Sequence, residues 1–293
     1  MPAPALLPPL REVIARHGLA AKHSLGQHFL LDPEICARIV RHAGALEGRH
    51  VVEIGPGPGG LTRALLDSAA AGIVAVELDQ RALAALGELA DPRLVVRHAD
   101  ALSLDLAGLV PAPRQVIANL PYNVGTPLLV ALLRQAAAWE RLTLMFQQEV
   151  AERIAAPPGS SAYGRLSVLA QATCTVELRL RLPPGAFVPP PAVWSAVVVL
   201  TPLPVLPEPQ ALAALERVTA AAFGQRRKML RGSLKPLGGA DLLARAGIAP
   251  ERRAETLEVA EFQRLAALLD PPALDQPGSM PVASGVQTSG SGA

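Results

Sequence analysis

The hydrophobic residues of this chain occur first in short continuous runs and later in longer stretches with helical spacing. Five runs rich in Val, Ile and Leu are typical of buried strands: Val51–Ile54, Ile73–Glu77, Leu94–Arg97, Gln115–Ala118 and Leu142–Phe146. Stretches with the periodicity of helices lie between them, at Gly60–Ala70, Gln80–Ala90 and Pro127–Ala138. Because strands and helices alternate, the pattern predicts a parallel sheet with helices on both faces.

The second half of the chain follows a different pattern. Two apolar runs, Thr173–Leu182 and Ala196–Leu200, are separated by Pro-rich turns and predict an antiparallel pair that closes one edge of the sheet. The stretch Pro202–Gln210 holds four prolines and is typical of a stiff linker. Helical spacing then covers Ala211–Leu269, with breaks near Gly238–Gly239 and Gly247–Pro250.

These patterns divide the chain into five parts. The length of 293 residues, half of them hydrophobic, allows one α/β domain and a smaller second domain. We predict an N-terminal extension (1–21), an α/β domain (22–201), a Pro-rich linker (202–210), a small all-α domain (211–270) and a disordered tail (271–293).

The composition indicates a cytoplasmic protein. The segment Met1–Leu10 is interrupted by proline and lacks the apolar core of a secretory signal, and no window approaches roughly 18 apolar residues. Cys36 and Cys174 are isolated, so we expect reduced thiols, no disulfide framework and no metal site. The net charge of +2 is too small to indicate a partner by itself.

A glycine-rich turn follows the first predicted strand of the sheet. Gly55, Gly57 and Gly59 alternate with prolines before a helix, and such a turn lets the backbone approach a ligand closely. Glu77 ends the next strand, where a carboxylate can accept both hydroxyls of a ribose. Asp100 ends the third, where it could bind an adenine amino group, cap a helix, or do both. Dinucleotide enzymes use a similar loop and acid, so these residues predict a nucleoside pocket without fixing the cofactor.

The tetrapeptide Asn119-Leu120-Pro121-Tyr122 follows the fourth strand. The side-chain carbonyl of Asn119 and the backbone carbonyl of Leu120 could hold the hydrogens of an adenine amino group and stabilise the charge that develops as it is methylated. Pro121 would fix the direction of the Leu120 carbonyl, and Tyr122 offers a face for stacking the base. An isolated tetrapeptide of this kind is usually an ordinary turn, but its place in the strand order favours methyl transfer to adenine.

A cluster of basic residues lies in the predicted helical domain. Phe223–Lys235 contains no acidic residue and predicts a helix on which Arg227, Arg231 and Lys235 form one stripe, with Leu230 and Leu234 facing inward. Such a stripe is either a solvated face or a phosphate-binding surface, and the adenine pocket favours RNA. The predicted RNA-binding residues are Arg226, Arg227, Lys228, Arg231 and Lys235.

Several motifs in one order make this chain resemble the bacterial small-subunit ribosomal RNA adenine dimethyltransferases of the KsgA family. The likeness runs from about Lys22 to Gln263. It rests on the segments Leu25–Leu30, Glu53–Gly60, Val76–Asp79, Asp100–Leu102, Asn119–Asn123, Gln147–Arg153, Pro158–Val168, Phe187–Val193 and Phe223–Lys228.

The resemblance implies a Rossmann-like class I methyltransferase sheet with a small all-α C-terminal domain. It implies that S-adenosylmethionine contacts His28, Leu30, Gly55, Glu77, Asp100 and Asn119, with Gly57 in the same loop. It also implies that the target adenine is held by Asn119, Leu120, Pro121, Tyr122 and Phe187. The implied substrate is two adjacent adenosines in a loop near the 3′ end of small-subunit (16S) rRNA, dimethylated at N6 within a pre-ribosomal 30S particle. A monomer is expected.

The sequence departs from the family at three positions and leaves two other functions open. His28, Gln148 and Trp194 stand where asparagine, lysine and aspartate are usual. One alternative is a large-subunit rRNA adenine methyltransferase of the macrolide-resistance type, which usually lacks the Leu-Gly-Gln opening. The other is a ribosome-assembly RNA-binding factor with secondary catalysis. An NAD dehydrogenase is disfavoured, because no candidate His, Arg or Lys for a hydride site accompanies the glycine loop.

Overall fold

The computed structural model describes residues 7–21 and 26–269, and its strands form two sheets. The strands are β1 (Phe29–Leu30), β2 (His50–Ile54), β3 (Gly72–Glu77), β4 (Leu94–His98), β5 (Arg114–Asn119), β6 (Arg141–Gln147), β7 (Cys174–Leu182), β8 (Phe187–Val188) and β9 (Ser195–Pro202). The larger sheet has the order β4-β3-β2-β5-β6-β9-β7, while β1 and β8 form a separate antiparallel pair.

The predicted parallel sheet is confirmed. Strands β2 to β6 are all parallel and lie in the order β4-β3-β2-β5-β6, as in a doubly wound α/β fold. The late antiparallel pair is also confirmed, with β9 inserted between β6 and β7, so that β7 lies at the edge. The central position of β9 explains its continuous apolar sequence, because Ala196–Leu200 is buried on both faces.

The helices cover both faces of the sheet. Their bounds are α1 (Leu10–Arg16), α2 (Pro33–His42), α3 (Gly60–Leu66), α4 (Gln80–Gly87), α5 (Gly125–Arg134), α6 (Gln148–Ala155), α7 (Arg165–Thr173), α8 (Pro209–Gly224), α9 (Leu230–Ser233), α10 (Gly239–Arg245) and α11 (Val259–Leu269). Three predicted helices are present as α3, α4 and α5, each ending some residues earlier than its pattern suggested. The pattern after α5 continues only as a short 3-10 helix, Ala136–Ala138.

The described part of the N-terminal extension, residues 7–21, packs on the α/β part of the chain. Val13 of α1 and the nearby Leu19 are buried against Ala82 and Ala85 of α4. Arg81, at the start of α4, donates from one guanidinium nitrogen to the carbonyls of Gly18 and Ala20. The extension therefore contributes to the surface beside the loop that follows β3.

The C-terminal helices and the sheet share one continuous hydrophobic core. Tyr163, in the loop between α6 and α7, is fully buried and meets Phe223 of α8 edge-on, with ring centroids 6.0 Å apart. Phe223 in turn lies 5.5 Å from Phe262 of α11. Since the linker between β9 and α8 is only residues 203–208, the two predicted domains are joined by packing as well as by the chain.

No helix in residues 7–21 or 26–269 is long and apolar enough to cross a membrane. Cys36 and Cys174 are buried free thiols, as the sequence predicted. The predicted tail, residues 271–293, lies outside the described residues, as does Leu25 at the start of the first family motif.

Candidate active site

A cleft opens at the carboxyl ends of β2, β3, β4 and β5, where open α/β sheets bind ligands. Its lining includes every residue predicted to bind the cofactor: His28, Leu30, Gly55, Gly57, Glu77, Asp100 and Asn119. Four successive strands each deliver one part of this set. The strand order therefore brings together residues that are up to 91 positions apart in the sequence.

The glycine turn after β2 has a backbone that other residues rarely adopt. Gly55, Gly57 and Gly59 have φ values of 68°, 55° and 89°. A Cβ on Gly57 would lie 2.9 Å from Cε1 of Phe29, and a Cβ on Gly60 would collide with the Leu30 carbonyl. The turn is thus pressed against the β1 segment, and its glycines are required by both conformation and space.

Glu77 is held in place by the glycine turn. Its carboxylate accepts hydrogen bonds from the backbone N–H of Gly57, at 2.9 Å, and of Asp79, at 2.7 Å. The side chain is 5% exposed, and burial raises the pKa of its carboxyl group. A carboxylate has about four acceptor sites, and Glu77 lines the cleft, so the group can still accept ligand hydroxyls.

Asp100 caps a helix and also lines the cleft. Its Oδ1 accepts the backbone N–H of Leu102 at 2.9 Å, at the start of a 3-10 helix over Ala101–Ser103. The same side chain is exposed to solvent and belongs to the cleft wall. The two interpretations of the sequence are therefore compatible, because one oxygen serves the helix and the other faces away from that bond.

The amide of Asn119 is oriented by the β1 segment. Its Nδ2 donates to the backbone carbonyl of His28 at 3.1 Å. A carbonyl oxygen only accepts, so this bond requires the nitrogen of the amide to face His28 and the oxygen to face the other way. Pro121 packs beside the glycine turn, where a Cβ on Gly55 would lie 3.4 Å from its Cδ. Together these contacts fix both ends of the Asn119–Pro121 segment.

Tyr122 lies between two anchors. Its hydroxyl is hydrogen-bonded to the Ser195 hydroxyl, 2.5 Å away, and its ring packs against the His28 imidazole with centroids 5.1 Å apart. The His28 ring is itself positioned by a hydrogen bond of 2.8 Å between Nδ1 and the Pro189 carbonyl. One face of Tyr122 is therefore covered by His28, and the ring still lines the cleft.

Phe187 does not line the cleft in this structure. It pairs with Leu30 across the short β1–β8 ladder and is 2% exposed, within a core cluster that includes Cys36 and Ile39. Stacking of a base on Phe187 would require its ring to leave this packing. Its role as a second stacking face stays a prediction.

Glu53 was not among the predicted site residues, yet it lines the cleft. It is 1% exposed, and its Oε2 has no hydrogen-bond partner among the described residues. Burial raises the pKa of its carboxyl group to about 8, and the nearby Glu77 adds to the rise. The signal in the sequence was an acid inside an otherwise apolar strand, directly before the glycine turn.

The basic segment is exposed, but it is not the continuous helix that the spacing predicted. Helix α8 ends at Gly224, Gln225–Met229 forms a turn, α9 spans only Leu230–Ser233, and Lys235 begins a 3-10 helix. The prediction that Arg227, Arg231 and Lys235 form a stripe on one helix is therefore wrong. The backbone N–H groups of Leu230 and Arg231 bond instead to the carbonyls of Arg252 and Pro250, which ties the segment to a neighbouring loop.

The buried and exposed positions of the basic segment are nevertheless those that the sequence predicted. Leu230 and Leu234 are fully buried, as predicted, and leave the basic residues outside. Arg226 donates to the Ser161 carbonyl, and Arg231 lies 3.8 Å from the exposed Glu251. Arg226, Arg227, Lys228, Arg231 and Lys235 are all exposed.

Comparison with known proteins gives a consistent result. Residues 18–270 match the family described as ribosomal RNA adenine dimethylase. The chain is 65% identical to ribosomal RNA small subunit methyltransferase A of Gluconobacter oxydans, over 89% of this chain and 88% of that protein. It is 57% identical to the protein of the same name from Paramagnetospirillum magneticum, over 92% and 97%.

Two solved structures resemble this fold over about four fifths of the chain. A dimethyladenosine transferase from Plasmodium falciparum superimposes with a TM-score of 0.69 and 25% identity, covering 81% of this chain and 96% of that one. The 23S rRNA methyltransferase ErmE gives a TM-score of 0.61 and 26% identity, covering 83% and 99%.

Proposed function

Since the chain belongs to the ribosomal RNA adenine dimethylase family, we propose that it dimethylates N6 of two adjacent adenosines in a loop near the 3′ end of small-subunit (16S) rRNA. The methyl donor is S-adenosylmethionine, and the substrate is a pre-ribosomal 30S particle in the cytoplasm. The enzyme acts as a monomer. The identity of 65% to a small-subunit methyltransferase favours this RNA over the large subunit.

The cleft has the groups that an S-adenosylmethionine site needs. The left-handed glycines at 55, 57 and 59 leave room for close approach of the methionine part. Glu77 would accept the ribose hydroxyls, and Asp100 the adenine amino group. His28 and Leu30 would border the donor from the β1 side. When bound, the donor supplies an electrophilic methyl group on a positively charged sulfur.

The orientation of Asn119 is the observation that carries the proposed chemistry. Because Nδ2 is engaged by the His28 carbonyl, Oδ1 is left as an acceptor toward the substrate. We infer that Oδ1 and the Leu120 carbonyl each accept one hydrogen of the target amino group. These bonds draw the nitrogen lone pair out of the ring and stabilise the positive charge that develops on nitrogen. Holding that nitrogen in line supplies much of the acceleration.

The remaining residues hold the base and the RNA. Tyr122, fixed through Ser195 and His28, offers its free face for stacking the extruded adenine. The exposed Arg227 and its basic neighbours would neutralise phosphates of the same RNA. Since a methylated amine sheds its proton readily, the site needs no general base.

Methyl transfer from labelled S-adenosylmethionine tests the proposal. Free small subunits from cells that lack this gene should become labelled, and mass spectrometry of their nucleosides should show N6,N6-dimethyladenosine. Free large subunits should remain unlabelled. Labelling of large subunits alone would favour the macrolide-resistance type of activity, and binding to small subunits with no labelling would favour an assembly factor.

A further inference from the structure

Trp194 is the exposed aromatic residue of this chain. The sequence holds five Phe, two Tyr and two Trp, all within the described residues, and the other eight are buried or partly buried. Trp194 is 49% exposed, whereas Trp139 is 4% exposed in the core. Val188 and Val193 are also exposed large apolar side chains of the same segment, at 36% and 44%. Three large apolar side chains are therefore exposed within seven consecutive residues, which is more than the single exposed apolar residue that is normal on a protein surface.

The backbone around Trp194 is fixed just before β9, at the end of the sheet where the cleft opens. The Trp194 carbonyl accepts the N–H of Gln148 at 2.8 Å, at the start of α6. The next residue, Ser195, pairs with Gln147 at the carboxyl end of β6 and is hydrogen-bonded to the Tyr122 hydroxyl. Trp194 therefore stands one residue from the group that anchors Tyr122.

The chemistry of the segment suits contact with the apolar face of a flat ring. Residues 187–195 contain no charged side chain and include three consecutive prolines, which restrict the backbone. An indole held on a stiff backbone loses little freedom when a ring stacks on it. Because every nucleobase has an apolar face, such a platform binds unpaired RNA without reading its sequence.

We propose that Trp194 stacks an unpaired base next to the target adenosine and so helps to extrude it into the cleft. This inference rests on the proposed function. The segment that carries Trp194 is tied to the cleft through Ser195, which is hydrogen-bonded to Tyr122, so the neighbour of a nucleotide drawn to Tyr122 would come close to this segment. A stacked neighbour keeps the strand from folding back and presents the target base to Asn119. Trp194 is thus a positioning residue for RNA and does not touch the reacting atoms.

Fluorescence tests the contact without relying on catalysis. Iodide should quench the exposed Trp194 and leave the buried Trp139 bright. Addition of a single-stranded RNA that contains two adjacent adenosines should quench Trp194 and protect it from iodide. The Trp194→Phe variant, which retains only Trp139, should show little response. Unchanged iodide access in the RNA complex would overturn the proposal, and so would concentration-dependent protection without RNA, which would mark a surface for self-association.

Kinetics on free small subunits provide the second readout. Trp194→Ala should raise KM for the subunit roughly tenfold, the loss expected for one stacked base, with an unchanged KM for S-adenosylmethionine. Trp194→Phe should recover most of this loss, since it restores an aromatic face. A Trp194→Ala enzyme with wild-type KM would refute the stacking role while leaving the proposed function intact. Wild-type enzyme that labels no RNA would instead refute the proposed function.

Discussion

Replacing Asn119 with alanine tests the central geometry of the site. The change removes Oδ1, the proposed acceptor for the target amino group, and Nδ2, which donates to the His28 carbonyl. The first loss acts on the transition state. The second acts on the β1 segment that borders the donor, so the two effects separate in different measurements.

The expected magnitudes differ. Loss of one hydrogen-bonding group that stabilises developing charge costs about 3–4 kcal/mol in the transition state, which is roughly a 100- to 1000-fold fall in kcat. The bond to the His28 carbonyl contributes about 1 kcal/mol net, so binding of S-adenosylmethionine should weaken by no more than about fivefold. Asn119→Ala should therefore bind the donor and fail to transfer its methyl group.

Gln171→Ala is a matched control. Gln171 also donates from its amide to a backbone carbonyl, that of Ala156 at 2.8 Å, and it lies outside the cleft. The Gln171→Ala variant should be slightly less stable than the wild-type protein and should have the same kcat. Single-turnover methylation of small subunits, with calorimetry for donor binding, measures both quantities. Near-normal turnover by Asn119→Ala would show that Oδ1 is not the acceptor.

Three further predictions follow from the buried acids and the basic segment. The pKa of Glu53 is about 8 in the folded protein, against 4.5 for a free glutamate, so between these values unfolding releases a proton. The stability of the donor-free protein should therefore fall as the pH rises from about 5 to about 8. Glu53→Gln should flatten this fall in Tm, and parallel Tm curves for the two proteins would contradict the prediction. Glu77→Gln should weaken donor binding roughly tenfold by calorimetry, because charged acceptors form the stronger hydrogen bonds, whereas unchanged affinity would remove Glu77 from the site. Reversing the charge of Arg227 and Arg231 should weaken RNA binding and reduce its salt slope by about 0.7–0.9 per lost phosphate contact; an unaltered slope would exclude these contacts.

The sequence predicts the sheet and most of the cleft because both depend on local patterns. Apolar runs of four or five residues mark β2 to β6, and polar residues at or just after their ends mark Glu77, Asp100 and Asn119. Because the carboxyl ends of parallel strands lie at the same end of the sheet, the sequence alone predicts that these residues are close together. The helix cap at Asp100 was already among the interpretations of its position, and the contact with an adenine amino group stays a prediction.

The remaining features depend on contacts that no local pattern contains. The direction of the Asn119 amide is set by His28, and the burial of Phe187 by its pairing with Leu30. The predicted helical stripe is absent because the backbone N–H groups of Leu230 and Arg231, which would continue a helix, bond instead to carbonyls of a loop that is distant in sequence. Tertiary hydrogen bonds of this kind override residue spacing.

The aromatic contact of Tyr163 with Phe223 helps to make the sheet and the C-terminal helices one rigid unit. The cleft and the exposed Arg227 are therefore held at a constant separation, because a close-packed core tolerates little change in shape. If the Arg227 surface binds phosphates as proposed, the enzyme should select its target by spacing within the folded RNA, because the adenosine pair must reach the cleft while those phosphates are bound. Lengthening the RNA between those two points by a few nucleotides would take the adenosines out of range, even though every base that the pocket contacts is unchanged.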